Sequence, residues 1–146
     1  MNGEDFSLGD FLPYLLTMTA EEVSESFSAI YKSRYGISRT EWRGLVHLGW
    51  LGEMTAHDIC VRAREEKTRV SRAVLRLEQA GRLERRQDPD DRRQEILSLT
   101  PQGREVFEDL KTEAAQRDAE LAVKIGSRDM EHLKSLLARL TASPQG

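Results

Sequence analysis

Apolar residues recur at three- and four-residue intervals along most of the chain, the spacing of one buried face on an α-helix. Leu12, Leu15, Leu16, Val23, Phe27, Ile30 and Tyr31 mark a long first helix, with Asp10 as its cap, Pro13 in its first turn and Gly36 as its stop. Met1 to Gly9 ahead of it read as a short arm. Ser38 or Thr40 opens a second helix that turns Trp42, Leu45, Val46, Leu48 and Gly49 inward. A short third helix, Ala56 to Ala63, is capped by Thr55 and directs Ile59 and Cys60 to the core. After a turn holding Glu65 and Glu66, Val70, Ala73, Val74 and Leu77 fall on one side of a fourth helix, with Ala80 continuing the stripe and Gly81 ending it.

The pattern then changes. Leu83 to Gln87 and Gln94 to Leu99 are short segments suited to strands, and Asp88-Pro89-Asp90-Asp91 between them holds the residues of a chain reversal. Pro89 sets one backbone angle and the aspartates accept local hydrogen bonds. A two-stranded hairpin follows from this. Thr100 then caps a long helix with Pro101 as a favoured first residue, marked by Val106, Leu110, Ala114, Leu121 and Ile125. Gly126 breaks it, Ser127 caps the last helix, and Met130, Leu133, Leu136, Leu137 and Leu140 form its stripe. Thr141 to Gly146 read as a frayed tail.

The polar side of the fourth helix carries Lys67, Thr68, Arg69, Ser71, Arg72, Arg76 and Gln79. Guanidinium, hydroxyl and amide groups together are those that read base edges and grip phosphates, unlike the Glu/Lys mixture of a merely solvated face. The hairpin adds Arg85 and Arg86 on its first strand and Asp91, Arg92 and Arg93 at its tip. A carboxylate holds a neighbouring guanidinium in a fixed direction through paired hydrogen bonds. An arginine so held suits a narrow minor groove, where the potential is most negative.

Thr68-Arg69-Val70-Ser71-Arg72, Leu77-Glu78-Gln79-Ala80-Gly81, and Asp91-Arg92-Arg93 followed by Leu99-Thr100-Pro101-Gln102-Gly103 together resemble a transcriptional regulator of the MarR family. The Asp-x-Arg and Leu-Thr-x-x-Gly spacing is the most specific part, and the helical framework extends the resemblance over about Leu8 to Leu140. Arg64 departs from the family's pattern, standing where a glycine often separates two helices; so does Leu75, an apolar residue on the outward face. The resemblance implies a single domain over 1–146, mainly α with a small β-hairpin wing. Residues 38–100 would form the winged helix-turn-helix lobe, and 10–35 and 101–140 the dimerisation helices. It further implies a homodimer on a palindromic operator in double-stranded DNA, acting as a repressor. A small aromatic or phenolic ligand would relieve it, with Tyr14, Met18, Phe27, Tyr31, Trp42 and His47 as wall residues. The alternative keeps the fold as a protein-interaction module or antirepressor that does not touch DNA.

Composition alters this picture at one point. The 146 residues carry a formal charge of −3, whereas nucleic-acid readers are usually basic. From Arg62 to Arg93, however, 11 Lys/Arg stand against 7 Asp/Glu, a local +4 that leaves −7 on the remainder. Affinity depends on contacts made at the phosphates, not on total charge. With 38% hydrophobic and 32% charged residues and no apolar run near the ~20 residues of a membrane span, the chain reads as cytoplasmic. One cysteine, Cys60, forms no internal disulfide. His47, His57 and His132 are scattered, and no nucleophile with a matching base, phosphate-cradling glycine loop or paired-cysteine zinc motif is present. No enzyme, cofactor or metal site is expected: His57-x-x-Cys60, with Asp58 and Glu53 nearby, could supply ligands on one helix turn, but the single cysteine reads as a neutral core thiol.

Overall fold

The computed structural model describes residues 5–143. Residues 1–4 of the expected arm and 144–146 of the expected tail lie outside these. In chain order the elements are α1 (Leu12–Tyr35), α2 (Arg39–Leu51), β1 (Met54–Thr55), α3 (Ala56–Ala63), α4 (Lys67–Gln79), β2 (Leu83–Gln87), β3 (Glu95–Leu99), α5 (Pro101–Ile125) and α6 (Ser127–Thr141). They form two compact units, one ending at Glu108 and one beginning at Asp109.

In the first unit the core joins the helical stripes that periodicity marks to Leu83 and Leu97 of the strands and to Phe107, which that spacing left out. Leu45, Leu48, Ile59, Val70, Val74, Leu77, Leu83, Leu97 and Phe107 are all at most 2% exposed. Two helices begin on reciprocal caps. Ser38 accepts from the Glu41 amide while the Glu41 carboxylate accepts from the Ser38 amide, and Thr55 and Asp58 do the same for α3. Each cap satisfies amides that a helix start leaves without partners. At its C-terminus α4 closes with Gly81 at φ 75°, the Gly81 amide donating to the Glu78 carbonyl and the Arg82 amide to the Leu77 carbonyl. That pair is the Schellman closure, and it redirects the chain into β2.

Several expectations need correction. Asp10 does not cap α1: it lies in a 3-10 turn, Leu8–Asp10, and the N-cap is Phe11, which has no polar side chain to offer. Ser127 is the first residue of α6 and Gly126 its N-cap. Cys60 is half-buried, because Ile59 takes the centre of the inward face and its successor is turned about 100° from it. Ala80, at the C-cap of α4, is exposed. The hairpin is part of a three-stranded antiparallel sheet ordered β1-β3-β2, with Met54 opposite Leu97 and Thr55 opposite Ile96. Two residues are too short for a periodicity signal, so the third strand is invisible until β3 is in place beside it.

The Leu99-to-Gly103 stretch joins the sheet to α5. The Thr100 hydroxyl donates to the Gly81 carbonyl at 2.6 Å and accepts from the Gly103 amide at 3.0 Å, so one side chain caps α5 and ties it to the end of α4. A Cβ on Gly103 would lie 1.9 Å from the Arg82 carbonyl oxygen. Only glycine permits that approach, which explains the Leu-Thr-x-x-Gly spacing.

In the second unit α6 presents Leu133, Leu136, Leu137 and Leu140 as an exposed apolar stripe, while Met130 is buried. Lys134 donates to Asp118 at 3.0 Å, a hydrogen bond that raises the ammonium's pKa.

Candidate nucleic-acid interface

The outward side of α4 is the most cationic helical surface of the first unit. Val70, Ala73, Val74 and Leu77 hold the helix against the core, so Lys67, Thr68, Arg69, Ser71, Arg72 and Arg76 are all exposed on other sides of it. The angle of α4 is set by the turn before it. Arg64 takes the left-handed conformation, φ 52° and ψ 48°, and closes α3 where the family pattern has glycine. A non-glycine residue there costs ~1–2 kcal/mol. An ion pair between Arg43 and the largely buried Glu65 anchors the next residue and offsets part of that cost.

Two features of this surface lay beyond sequence reasoning. Glu41 is buried, 4% exposed, and besides capping α2 it lies 3.8 Å from an Arg76 guanidinium nitrogen. Ser38 and Thr40, at the start of α2, line a shallow cleft together with Arg69, Arg72, Ala73 and Arg76. The capping signal Ser-x-x-Glu was legible in the chain, but nothing in it placed that helix start beside α4.

The wing sorts its arginines. Asp91 accepts from the Arg93 backbone amide and Nε at 3.1 Å each, and from Nη2 at 3.4 Å, while the Arg93 side chain remains 90% exposed. The Arg93 side chain, and then its amide, hold the Asp91 carboxyl below its ordinary pKa. Arg92 is also exposed, and its carbonyl accepts from Gln87 at 3.0 Å. Arg86 instead forms a two-bond pair with Glu53 at 2.7 and 2.9 Å, and Arg85 pairs with Glu78 at 3.1 Å. Both guanidiniums are thus already engaged by carboxylates from outside the hairpin. Arg93 differs in that its carboxylate partner, Asp91, belongs to the hairpin tip itself and leaves the side chain exposed.

Of the six expected ligand-wall residues, three meet. Phe27 lies 5.3 Å from Tyr31 and 4.9 Å from Trp42, and Tyr31 and Trp42 stack at 6.2 Å. Burial raises the Tyr31 hydroxyl's pKa, opposed by the charges of Arg39 and Arg43. Tyr14 and Met18 are exposed on the first turns of α1, Met18 about 13 Å along the axis from Phe27. His47 points its Nδ1 at the Arg43 carbonyl, 2.6 Å away. Among the described residues, no group of three or more His, Cys, Asp or Glu is placed to hold a metal ion, and no helix is long and apolar enough to cross a membrane.

A pair of helices, the first begun by a capping box and the second exposed and cationic, followed by a sheet whose hairpin holds a braced arginine, defines a winged helix-turn-helix protein. The MarR family model matches residues 37–94, which run from the start of α2 to the wing tip. YdgJ of Bacillus subtilis, an HTH-type transcriptional regulator, is 27% identical over 118 residues, covering 81% of this chain and 72% of its own. The homoprotocatechuate degradative operon repressor of Escherichia coli is 24% identical over 133 residues, 91% of this chain and 89% of its own. The crystal structure of NadR in complex with 4-hydroxyphenylacetate superposes with a TM-score of 0.79 at 25% identity, covering 96% of each chain. The sequence likenesses are all to transcriptional regulators, and over residues 37–94 the chain is similar to the MarR family.

Proposed function

We propose that this chain is a homodimeric, sequence-specific reader of double-stranded operator DNA that represses transcription in the cytoplasm and is released by a small phenolic acid. The observation that carries the DNA reading is the pairing of α4's exposed cationic face with the Asp91-braced Arg93 at the wing tip. With α4 in a major groove, Arg72 and Ser71 reach base edges and Arg69 and Arg76 reach phosphates, while Arg93 enters the adjacent minor groove. Dimerisation is supported by the apolar side chains that α1 and α6 leave in solvent, among them Leu12, Leu15, Met18, Leu136 and Leu140. Two copies related by a two-fold axis would set their α4 helices ~34 Å apart, one turn of the duplex.

The ligand reading rests on the Phe27, Tyr31 and Trp42 cluster with Arg39 and Arg43 in electrostatic reach, a setting suited to an aromatic ring bearing a carboxylate. NadR's 4-hydroxyphenylacetate has that chemistry, and the homoprotocatechuate operon regulator is named a repressor. Selection of bound fragments from random duplex DNA, followed by salt titration on the selected operator, tests the proposal. Two half-sites should emerge about one helical turn apart, and log affinity should fall linearly with log salt by about 0.9 per phosphate neutralised. Adding 4-hydroxyphenylacetate should release the operator. Failure to retain any duplex at low salt refutes the DNA reading, and binding unaltered by 4-hydroxyphenylacetate and related phenolic acids refutes the ligand reading.

A further inference from the structure

Leu75 lies on the side of α4 opposite its buried stripe. At 100° per residue it falls between Thr68, Ser71, Arg72 and Gln79, all polar, and it is 46% exposed. A lone exposed leucine elsewhere would call for no explanation. Here the surrounding face is the one that the proposed function lowers into a major groove, where water is displaced and the side chain must meet something. Base edges in that groove present donors and acceptors, with one apolar group among them, the C5-methyl of thymine. We infer that Leu75 is a specificity-determining residue that reads a thymine methyl in each operator half-site, an assignment that rests on the DNA reading above.

Its neighbours place the contact. Arg72 is one turn before Leu75, about 4.5 Å along the axis and little more than one base-pair step of ~3.4 Å, and Gln79 is one turn after. Arginine pairs with the guanine edge and glutamine with the adenine edge. The thymine therefore lies within a base pair or two of a guanine read by Arg72. Recognition by Leu75 is geometrically independent of the phosphate contacts, because a methyl carries no charge. Removing that methyl changes specificity without changing the salt slope.

Replacing each half-site thymine in turn by deoxyuridine deletes the methyl and keeps the base pair. One thymine per half-site should lower the parent's affinity about four-fold, the effect of one buried methyl-sized group, and replacing both symmetric thymines about sixteen-fold. Leu75→Ala should bind the unmodified operator more weakly and lose most of the sensitivity to deoxyuridine at that position, while Leu75→Met should retain much of it. Because Leu75 is exposed on a helix, both variants fold, which circular dichroism checks. If no deoxyuridine substitution affects the parent, or if Leu75→Ala is as sensitive as the parent, the assignment is overturned while operator binding stands. If no duplex is bound by the parent, the DNA reading fails instead.

Discussion

Replacing Gly103 by alanine tests the joint between the sheet and α5. The added Cβ would stand 1.9 Å from the Arg82 carbonyl oxygen, 2.8 Å from its carbon and 3.2 Å from its Cα. Carbon and oxygen normally approach no closer than ~3.3 Å, so the first turn of α5 must withdraw by more than ~1 Å. That oxygen also accepts the Thr100 amide at 3.2 Å, and the Thr100 hydroxyl reaches the Gly81 carbonyl at 2.6 Å; both bonds stretch with the movement. Overpacking costs ~1–3 kcal/mol and each loosened hydrogen bond ~1 kcal/mol, giving about 3–5 kcal/mol. For a chain of this length that lowers Tm by about 10–15 °C, at ~3 °C per kcal/mol. Gly36→Ala is the control. Gly36 has φ 66°, but a methyl group added there would meet nothing within 4 Å, so it carries only the left-handed backbone cost of ~1–2 kcal/mol. Denaturant unfolding of both variants at one protein concentration separates the two costs. If Gly103→Ala is no more destabilised than Gly36→Ala, the close approach is not what selects glycine at this position.

Further expectations follow from the site. Arg72→Ala should weaken operator binding by ~1–3 kcal/mol and relax base preference at one position per half-site, read by anisotropy on single-base operator variants. Arg93→Ala should weaken binding with little change in base preference and reduce the salt slope if the guanidinium meets phosphate, and Arg86→Ala should have a smaller effect because Glu53 already engages it. The Asp91 carboxyl has its pKa lowered from 3.8 by its Arg93 hydrogen bonds. The brace's contribution is therefore fully present above that value and lost only as pH falls through the lowered one, which an NMR titration of the Asp91 carboxyl would follow. Thr55→Ala removes one half of the α3 capping box and should cost ~1 kcal/mol, seen as a shifted denaturation midpoint with an unchanged slope.

The order of helices, the buried stripe of α4, its cationic face and the aspartate-arginine wing tip were all readable in the chain. Each is encoded locally, by a period of 3.6 residues, a capping residue or a neighbour two positions away. Glycine at positions 36 and 81 marked helix ends for the same reason, and both adopt the positive φ that suits them. What the tertiary structure alone decided joins positions far apart. Arg86 finds Glu53 across 33 residues, Arg82 finds the Tyr35 carbonyl across 47, and β1 exists only because β3 returns beside it. Such contacts have no period for a sequence to display. They determine which cations carboxylates from elsewhere in the fold engage, as Glu53 engages Arg86, whereas the brace on Arg93 comes from Asp91 two residues away and was readable in the chain.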